Sequence, residues 1–244
     1  MPGQEKPLAT LRAEQLSKTY AVHQVETHAL RGVDLLIEPG EFTAISGPSG
    51  SGKTTLLNLL GGLDSPSSGR VFLGEVEVTK LSQGELSRLR LHRLGFVFQS
   101  YNLIPVLSAI ENVEYVMLLQ GVAEKERRER AETILFEVGL QELIHQRPPL
   151  MSGGQQQRVA VARAIVSNPE LVMADEPTAN LDSKTAAGLL DLMARLNAER
   201  GITFLFSTHD PNVMARARRL IQLHDGRIAR DEKKACPASK PPGT

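Results

Sequence analysis

Phe42-Thr43-Ala44-Ile45-Ser46-Gly47-Pro48-Ser49-Gly50-Ser51-Gly52-Lys53-Thr54-Thr55-Leu56-Leu57 is the stretch that decides how the rest of the chain reads. A short apolar run leads through Gly47 to Thr54, a full match to G-x-x-x-x-G-K-[ST], and into an apolar run of helical character; strand–loop–helix is the context that pattern requires. Glycine tolerates positive φ and close backbone approach, so the loop Gly47, Pro48, Ser49, Gly50, Ser51, Gly52 can turn its N–H groups onto phosphate oxygens. The helix opening at Lys53, Thr54 and Thr55 adds the positive end of its dipole. Lys53 supplies a point charge for the β- and γ-phosphates, and the Thr54 hydroxyl is the expected ligand of a Mg2+ ion. A Gly/Ser-rich connector is the plain alternative, and the full match in its proper context disfavours it. Nucleotide binding follows; the use of the nucleotide does not.

Composition bounds the rest. The chain has 244 residues, the length of one large domain or a domain with a subdomain. Hydrophobic residues make up 41%, enough for a sizeable core, and Lys plus Arg (28) balance Asp plus Glu (28). Zero net charge argues against coating nucleic acid or an anionic membrane. A lone cysteine, Cys236, excludes a disulfide-built domain. The opening residues carry no secretory signal, and no run approaches the ~18 apolar residues of a membrane span. The expectation is a soluble, cytoplasmic protein; any membrane crossing falls to another chain.

Outward from the loop, Leu11–Tyr20, Val33–Ile37, Glu41–Ser46, Arg70–Leu73, Leu94–Gln99, Leu171–Ala174, Thr203–Ser207 and Leu220–Leu223 read as strands, with Pro39-Gly40 a turn between the second and third. Lys53–Leu63 reads as a buried helix, and 109–167 as helix-rich, with Glu124–Arg130 a solvated, ion-paired face. Buried strands alternating with helices imply a parallel sheet covered on both faces. The fold class is therefore α/β: a parallel-sheet core, an N-terminal antiparallel β lobe, and a helical insertion at about 100–165 within a domain of 11–230. Residues 1–10 read as a loose arm, and 231–244, charged and proline-rich, as a disordered tail.

Two further stretches carry chemistry. Leu171-Val172-Met173-Ala174 ends in Asp175-Glu176. Ligands of parallel sheets sit beyond the carboxyl ends of strands, so both carboxylates should emerge beside the loop. Asp175 is the expected holder of Mg2+ through water; Glu176, expected on the opposite side of the strand, is the candidate general base. Met151-Ser152-Gly153-Gly154-Gln155 precedes an apolar helix, and Ser-Gly-Gly at a helix start is a second anion site. One nucleotide does not easily bridge both sites within a chain, whereas two chains packed head to tail place each signature over the other's γ-phosphate.

Together these stretches resemble the ATP-binding cassette (ABC) of ABC transporters over roughly 10–230, with motifs in the family's order and spacing. The resemblance implies a P-loop NTPase with a RecA-like core, binding ATP and Mg2+ as a homodimer. It implies that Tyr20 stacks on adenine, that Gln99 contacts Mg2+ and the attacking water, and that His209 contacts the γ-phosphate. It also implies that Lys53 and Glu176 take part in catalysis, that Ser152, Gly153, Gly154 and Gln155 close the partner's site, and that the loop ending in Asp182 reaches across the dimer. The signature's usual leading Leu is Met151 here, a packing position where Met substitutes well. Residues 98–105, 58–64 and 175–182 resemble MacB/LolD-type cassettes of macrolide export and lipoprotein release. Such cassettes imply a four-span permease with a large extracytoplasmic domain, a place at the cytoplasmic face of the inner membrane, and docking of the permease near Ser100–Pro105.

Rival readings fare worse. A soluble ABC protein of translation or DNA repair usually carries two cassettes, coiled coils or zinc modules, none of which is visible. A small-molecule kinase leaves Ser-Gly-Gly-Gln without a role. A regulatory cassette of an FtsE-like complex, gating another enzyme, shares the biochemistry and stays open.

Overall fold

A computed structural model describes residues 10–22 and 25–234. The expected arm at 1–9 and the tail from 235 onward, with Cys236, lie outside the described residues. Two sheets form the frame. The first is antiparallel, ordered β2 (Val25–Ile37), β1 (Leu11–Val22), β4 (Ser68–Leu73), β5 (Val76–Glu77). The second is ordered β10 (Arg227–Lys233), β9 (Arg219–His224), β3 (Phe42–Ser46), β8 (Thr203–Thr208), β7 (Leu171–Asp175), β6 (Leu94–Val97). Its strands run parallel from β9 to β6, and β10 closes the edge antiparallel to β9.

The near-continuous apolar runs of β3, β7 and β8 follow from burial on both faces. Phe42, Ala44, Val172, Ala174, Phe204 and Phe206 face one core, shared with the helical insertion. Ile45, Leu171, Met173 and Leu205 face the other, shared with the antiparallel lobe and helix α1 (Lys53–Leu60). The period-2 alternation of strands thus sorts one sequence into two cores.

The insertion is α3 (Ala109–Leu119), α4 (Glu124–Glu137) and α5 (Gly153–Ile165). Glu126–Arg130 and Arg128–Glu132 are i,i+4 ion pairs on α4, which bears out the solvated-face reading. Near its C-terminal end α5 packs directly on β6: a Cβ at Gly95 would stand 2.3 Å from the Ala164 carbonyl oxygen, so glycine sets this spacing. Helix α6 (Ser183–Arg200) follows β7, and α7 (Pro211–Arg216) joins β8 to β9.

Several sequence expectations need correction. Pro39-Gly40 is the turn between β2 and β3 as read, but the two strands belong to different sheets, so it passes the chain from lobe to core. Thr10, assigned to the arm, is buried, and its carbonyl accepts the Gly74 N–H at 3.1 Å. Asp231–Lys233, assigned to the tail, end β10. That strand is exposed and charged, as edge strands often are, so it carries no apolar signature. Helix α2 (Gln83–Arg93) was not assigned, although Ser82 and Glu85 form a capping box that announces it.

One ion cluster ties the two sheets together. The buried Arg219 donates to both Glu41 oxygens, to Asp231 and to the Leu36 carbonyl. It thereby links β9 and β10 to the β2–β3 junction. Arg219→Ala would leave the nearly buried Glu41 short of its main partner and is expected to cost about 3 kcal/mol, read from a urea midpoint. Hydrogen bonding from Arg219 holds the Asp231 carboxyl below its usual range. Its contribution is complete above the ordinary Asp value of about 3.9 and is lost as pH falls through the lowered folded value. The acid limb of a stability–pH curve should therefore be shallower in Arg219→Ala than in wild type.

Candidate nucleotide site

The loop 47–52 leaves β3 and enters α1 through three glycines of positive φ, Gly47, Gly50 and Gly52. Close approach demands at least one of them: a Cβ on Gly47 would meet the Leu223 carbonyl oxygen at 2.2 Å and Ser51 Oγ at 2.7 Å. Lys53 Nζ curls back over the loop and donates to the carbonyls of Gly47 (2.8 Å) and Pro48 (3.0 Å). No acidic residue stands in the first turn of α1, so the positive end of the helix faces the loop without a neutralising side chain.

Parallel register brings the acidic pair here. Ser46 pairs with Thr208, and Asp175 with Ser207, so β3, β7 and β8 end side by side. Across 121 residues of sequence the Thr54 hydroxyl donates to Asp175 Oδ1 at 3.3 Å. The buried Ser207 hydroxyl donates to the same oxygen. Among the described residues no cluster of three or more His, Cys, Asp or Glu could hold a metal. A hydroxyl beside a carboxylate is nonetheless the hard-oxygen donor set that suits Mg2+ shared with phosphates.

Glu176 lies one residue past β7, so strand alternation does not set its direction as the sequence suggested. It adopts φ 46°, a left-handed conformation that costs a non-glycine residue about 1–3 kcal/mol. The turn is held by its own N–H, donated to the Ser207 carbonyl and Oγ, both at 3.2 Å, and by Ala179 N–H donating to its carbonyl at 3.2 Å. Glu176 Oε1 stands 2.8 Å from His209 Nδ1; the carboxylate is largely buried and the imidazole exposed. Gln99 lies in the turn after β6, which ends at Val97, rather than on the strand, and its carbonyl accepts from Asn180 Nδ2 at 3.0 Å. Tyr20 keeps a partly exposed ring; its hydroxyl donates to Asp64 Oδ2 at 2.9 Å, and Lys18 Nζ reaches Asp64 Oδ1 at 2.8 Å and lies 4.9 Å from the ring centroid.

The signature is differently placed. Ser152 is the N-cap of α5, forming a capping box with Gln155, whose side chain is thereby engaged. Gly153 and Gly154 face Tyr101 and Thr185. Asp182 caps α6 through the N–H groups of Lys184 and Thr185, and hydrogen bonding by Thr185 keeps its carboxyl below the usual carboxylate range. Among the described residues no hydrogen bond joins Ser152–Gln155 or Asp182 to the phosphate loop. Lys53, Thr54, Asp175, Glu176 and His209 thus gather at one edge, and the signature helix touches the turn after Glu176 through Gln157, whose Nε2 donates to the Pro177 carbonyl at 2.7 Å. Sequence reading missed Ser207, Asp64 and Lys18. Only strand pairing reveals Ser207, and nothing in the linear pattern singles out the other two.

Comparison with known proteins identifies the family. The family model "ABC transporter" matches residues 30–179. The chain is 45% identical over 220 residues to a macrolide export ATP-binding/permease protein MacB of Syntrophobacter fumaroxidans, covering 89% of this chain but 31% of that protein. It spans about a third of such relatives. It is 46% identical over 229 residues to the lipoprotein-releasing system ATP-binding protein LolD of Anaeromyxobacter dehalogenans, covering 93% of this chain and 96% of that one. The dimeric post-hydrolysis structure of the cassette MJ0796, bound to ADP and Pi, superposes with a TM-score of 0.86 at 42% identity, over 93% of this chain and 99% of that one. A family model spanning over half of the chain, and relatives matched nearly end to end, show that the chain belongs to the ABC transporter family, as an ATP-binding cassette.

Proposed function

We propose that this ATPase hydrolyses ATP in two composite sites of a homodimer and drives a membrane partner of the MacB/LolD type. The observation that carries the reading is the meeting of Thr54, Asp175, Glu176 and His209 on one edge, while among the described residues no hydrogen bond joins the signature, a second anion-binding helix start, to the phosphate loop. The solved MJ0796 relative is a dimer with ADP and Pi, which supports a site closed by a second copy.

The roles follow from the atoms. The loop N–H groups and Lys53 hold the phosphates, and Tyr20 offers a ring to the base. Thr54 and Asp175 would hold the cation, joined by Gln99 as the resemblance implies; when bound it draws charge from the phosphate oxygens. Glu176 takes the proton of the attacking water, and His209 steadies the Glu176 carboxylate at the rim. Ser152, Gly153 and Gly154 of the second copy, with its Asp182 loop, close over the γ-phosphate. Catalysis is then positioning and electrostatics, and loss of the γ-phosphate removes the bridge that holds the copies together.

The described residues include no helix long and apolar enough to cross a membrane. Beside the Gln99 turn, an open groove of about 550 Å³ is lined by Leu63, Leu91, Phe96, Phe98, Val116 and Leu119, with Asn102 at its edge. This largely apolar groove supports docking of a permease segment next to Ser100–Pro105, and a permease partner would hold the cassette at the cytoplasmic face of the inner membrane. Export, lipoprotein release and an FtsE-like regulatory output share this site.

Three outcomes test the reading. Glu176→Gln should lower turnover by on the order of 100- to 10,000-fold and hold an ATP-bound dimer visible by light scattering; a monomer at saturating ATP contradicts the composite site. Wild-type specific activity should rise with protein concentration until dimers saturate. Gly47→Ala, which drives a methyl into the Leu223 carbonyl, should weaken ATP binding on the order of 100-fold, measured by calorimetry, while far-UV circular dichroism stays unchanged.

A further inference from the structure

We propose that Ser207 is a positioning residue of the hydrolytic site, coupling the carboxylate that would hold the cation to the backbone that aims Glu176. This rests on the reading of the site as a metal-dependent ATPase. Strand β8 runs Thr203-Phe204-Leu205-Phe206 before reaching Ser207, and Ser207 is fully buried. A buried hydroxyl on an apolar strand is costly unless both its donor and its acceptor are used. Here both are. Its proton goes to Asp175 Oδ1, and its oxygen accepts the Glu176 N–H at 3.2 Å.

Two consequences follow. Thr54 approaches the same Asp175 oxygen at 3.3 Å, so two hydroxyls from two elements fix the carboxylate's rotation. Oδ2 makes no hydrogen bond among the described residues. The Glu176 N–H is shared between the Ser207 carbonyl and hydroxyl, and this shared bond holds the left-handed turn from which the Glu176 side chain reaches His209. A single hydroxyl therefore sets both the metal carboxylate and the base. An alanine would fill the strand position and keep its pairing, yet sever the connection.

The test uses the full chain as wild type, Ser207→Ala and Ser207→Thr. Mn2+ affinity is read by electron paramagnetic resonance with a non-hydrolysable ATP analogue; ATP affinity is read separately in EDTA. Ser207→Ala should bind Mn2+ about tenfold more weakly, the loss expected for one hydrogen bond to a charged group. Its kcat should fall by a similar or larger factor, with metal-free ATP affinity within twofold of wild type. Ser207→Thr, which keeps the hydroxyl, should recover metal affinity. Mn2+ affinity within twofold of wild type in Ser207→Ala overturns the proposal whatever Ser207→Thr does, and so does an equal loss of metal-free ATP affinity. Failure of the underlying reading looks different: the wild type itself would show no metal-dependent ATP turnover.

Discussion

The in-register ending of three parallel strands is the constraint on which the site depends. Strand β8 pairs with β3 on one side and β7 on the other, so Ser46, Thr208, Ser207 and Asp175 stand in a row. A slip of one residue would turn Asp175 toward a core and leave Thr54 facing a methyl group. The apolar faces of these strands oppose such a slip. Phe204 and Phe206 stack edge-on against Phe42 in one core, while Leu205 and Met173 fill the other. Packing deep in the molecule therefore sets the distances at its polar edge.

Polar groups off that edge serve as fasteners. Arg219 joins the two sheets through Glu41 and Asp231. Asn112, buried at the start of α3, donates to the carbonyls of Ile104, Leu107 and Ser108 and accepts the Ile104 N–H. It thus ties down the segment that follows the Gln99 turn. Arg163 of α5 donates to the carbonyls of Tyr101 and Asn102, two consecutive residues of positive φ. The helix that begins with the signature therefore holds the turn that begins with Gln99. Within one chain this makes α3, α5 and that turn a connected unit, the arrangement a docking groove beside it would need to pass force inward.

Much of this was legible in the linear sequence because the signals are local. Gly47–Thr54 needs only its own spacing to describe a phosphate cradle, and Leu171–Glu176 needs only an apolar run ending in two carboxylates. Ser152 before Gly-Gly-Gln marks a helix start in any context. The missed helix α2 had a local signal in its Ser82–Glu85 capping box, but the other misreadings were not local. Pro39-Gly40 reads as a turn between two strands, but which sheet β3 joins is decided by β8 and β9, more than 150 residues onward. The charged end of β10, Asp231–Lys233, reads as tail because it is held by backbone pairing and the Arg219–Asp231 pair, neither of which leaves an apolar pattern.

From its own residue order the chain determined a glycine-rich loop between a strand and a helix, an apolar run ending in two carboxylates, and an alternation of helices with buried strands. Tertiary structure alone decided that Thr54 and Ser207 meet one oxygen of Asp175 and that Glu176 leaves its strand in a left-handed turn toward His209. The physical reason is range. Backbone conformation and helix capping act over a few residues, whereas the register of non-adjacent parallel strands is set by two cores assembled from the whole chain.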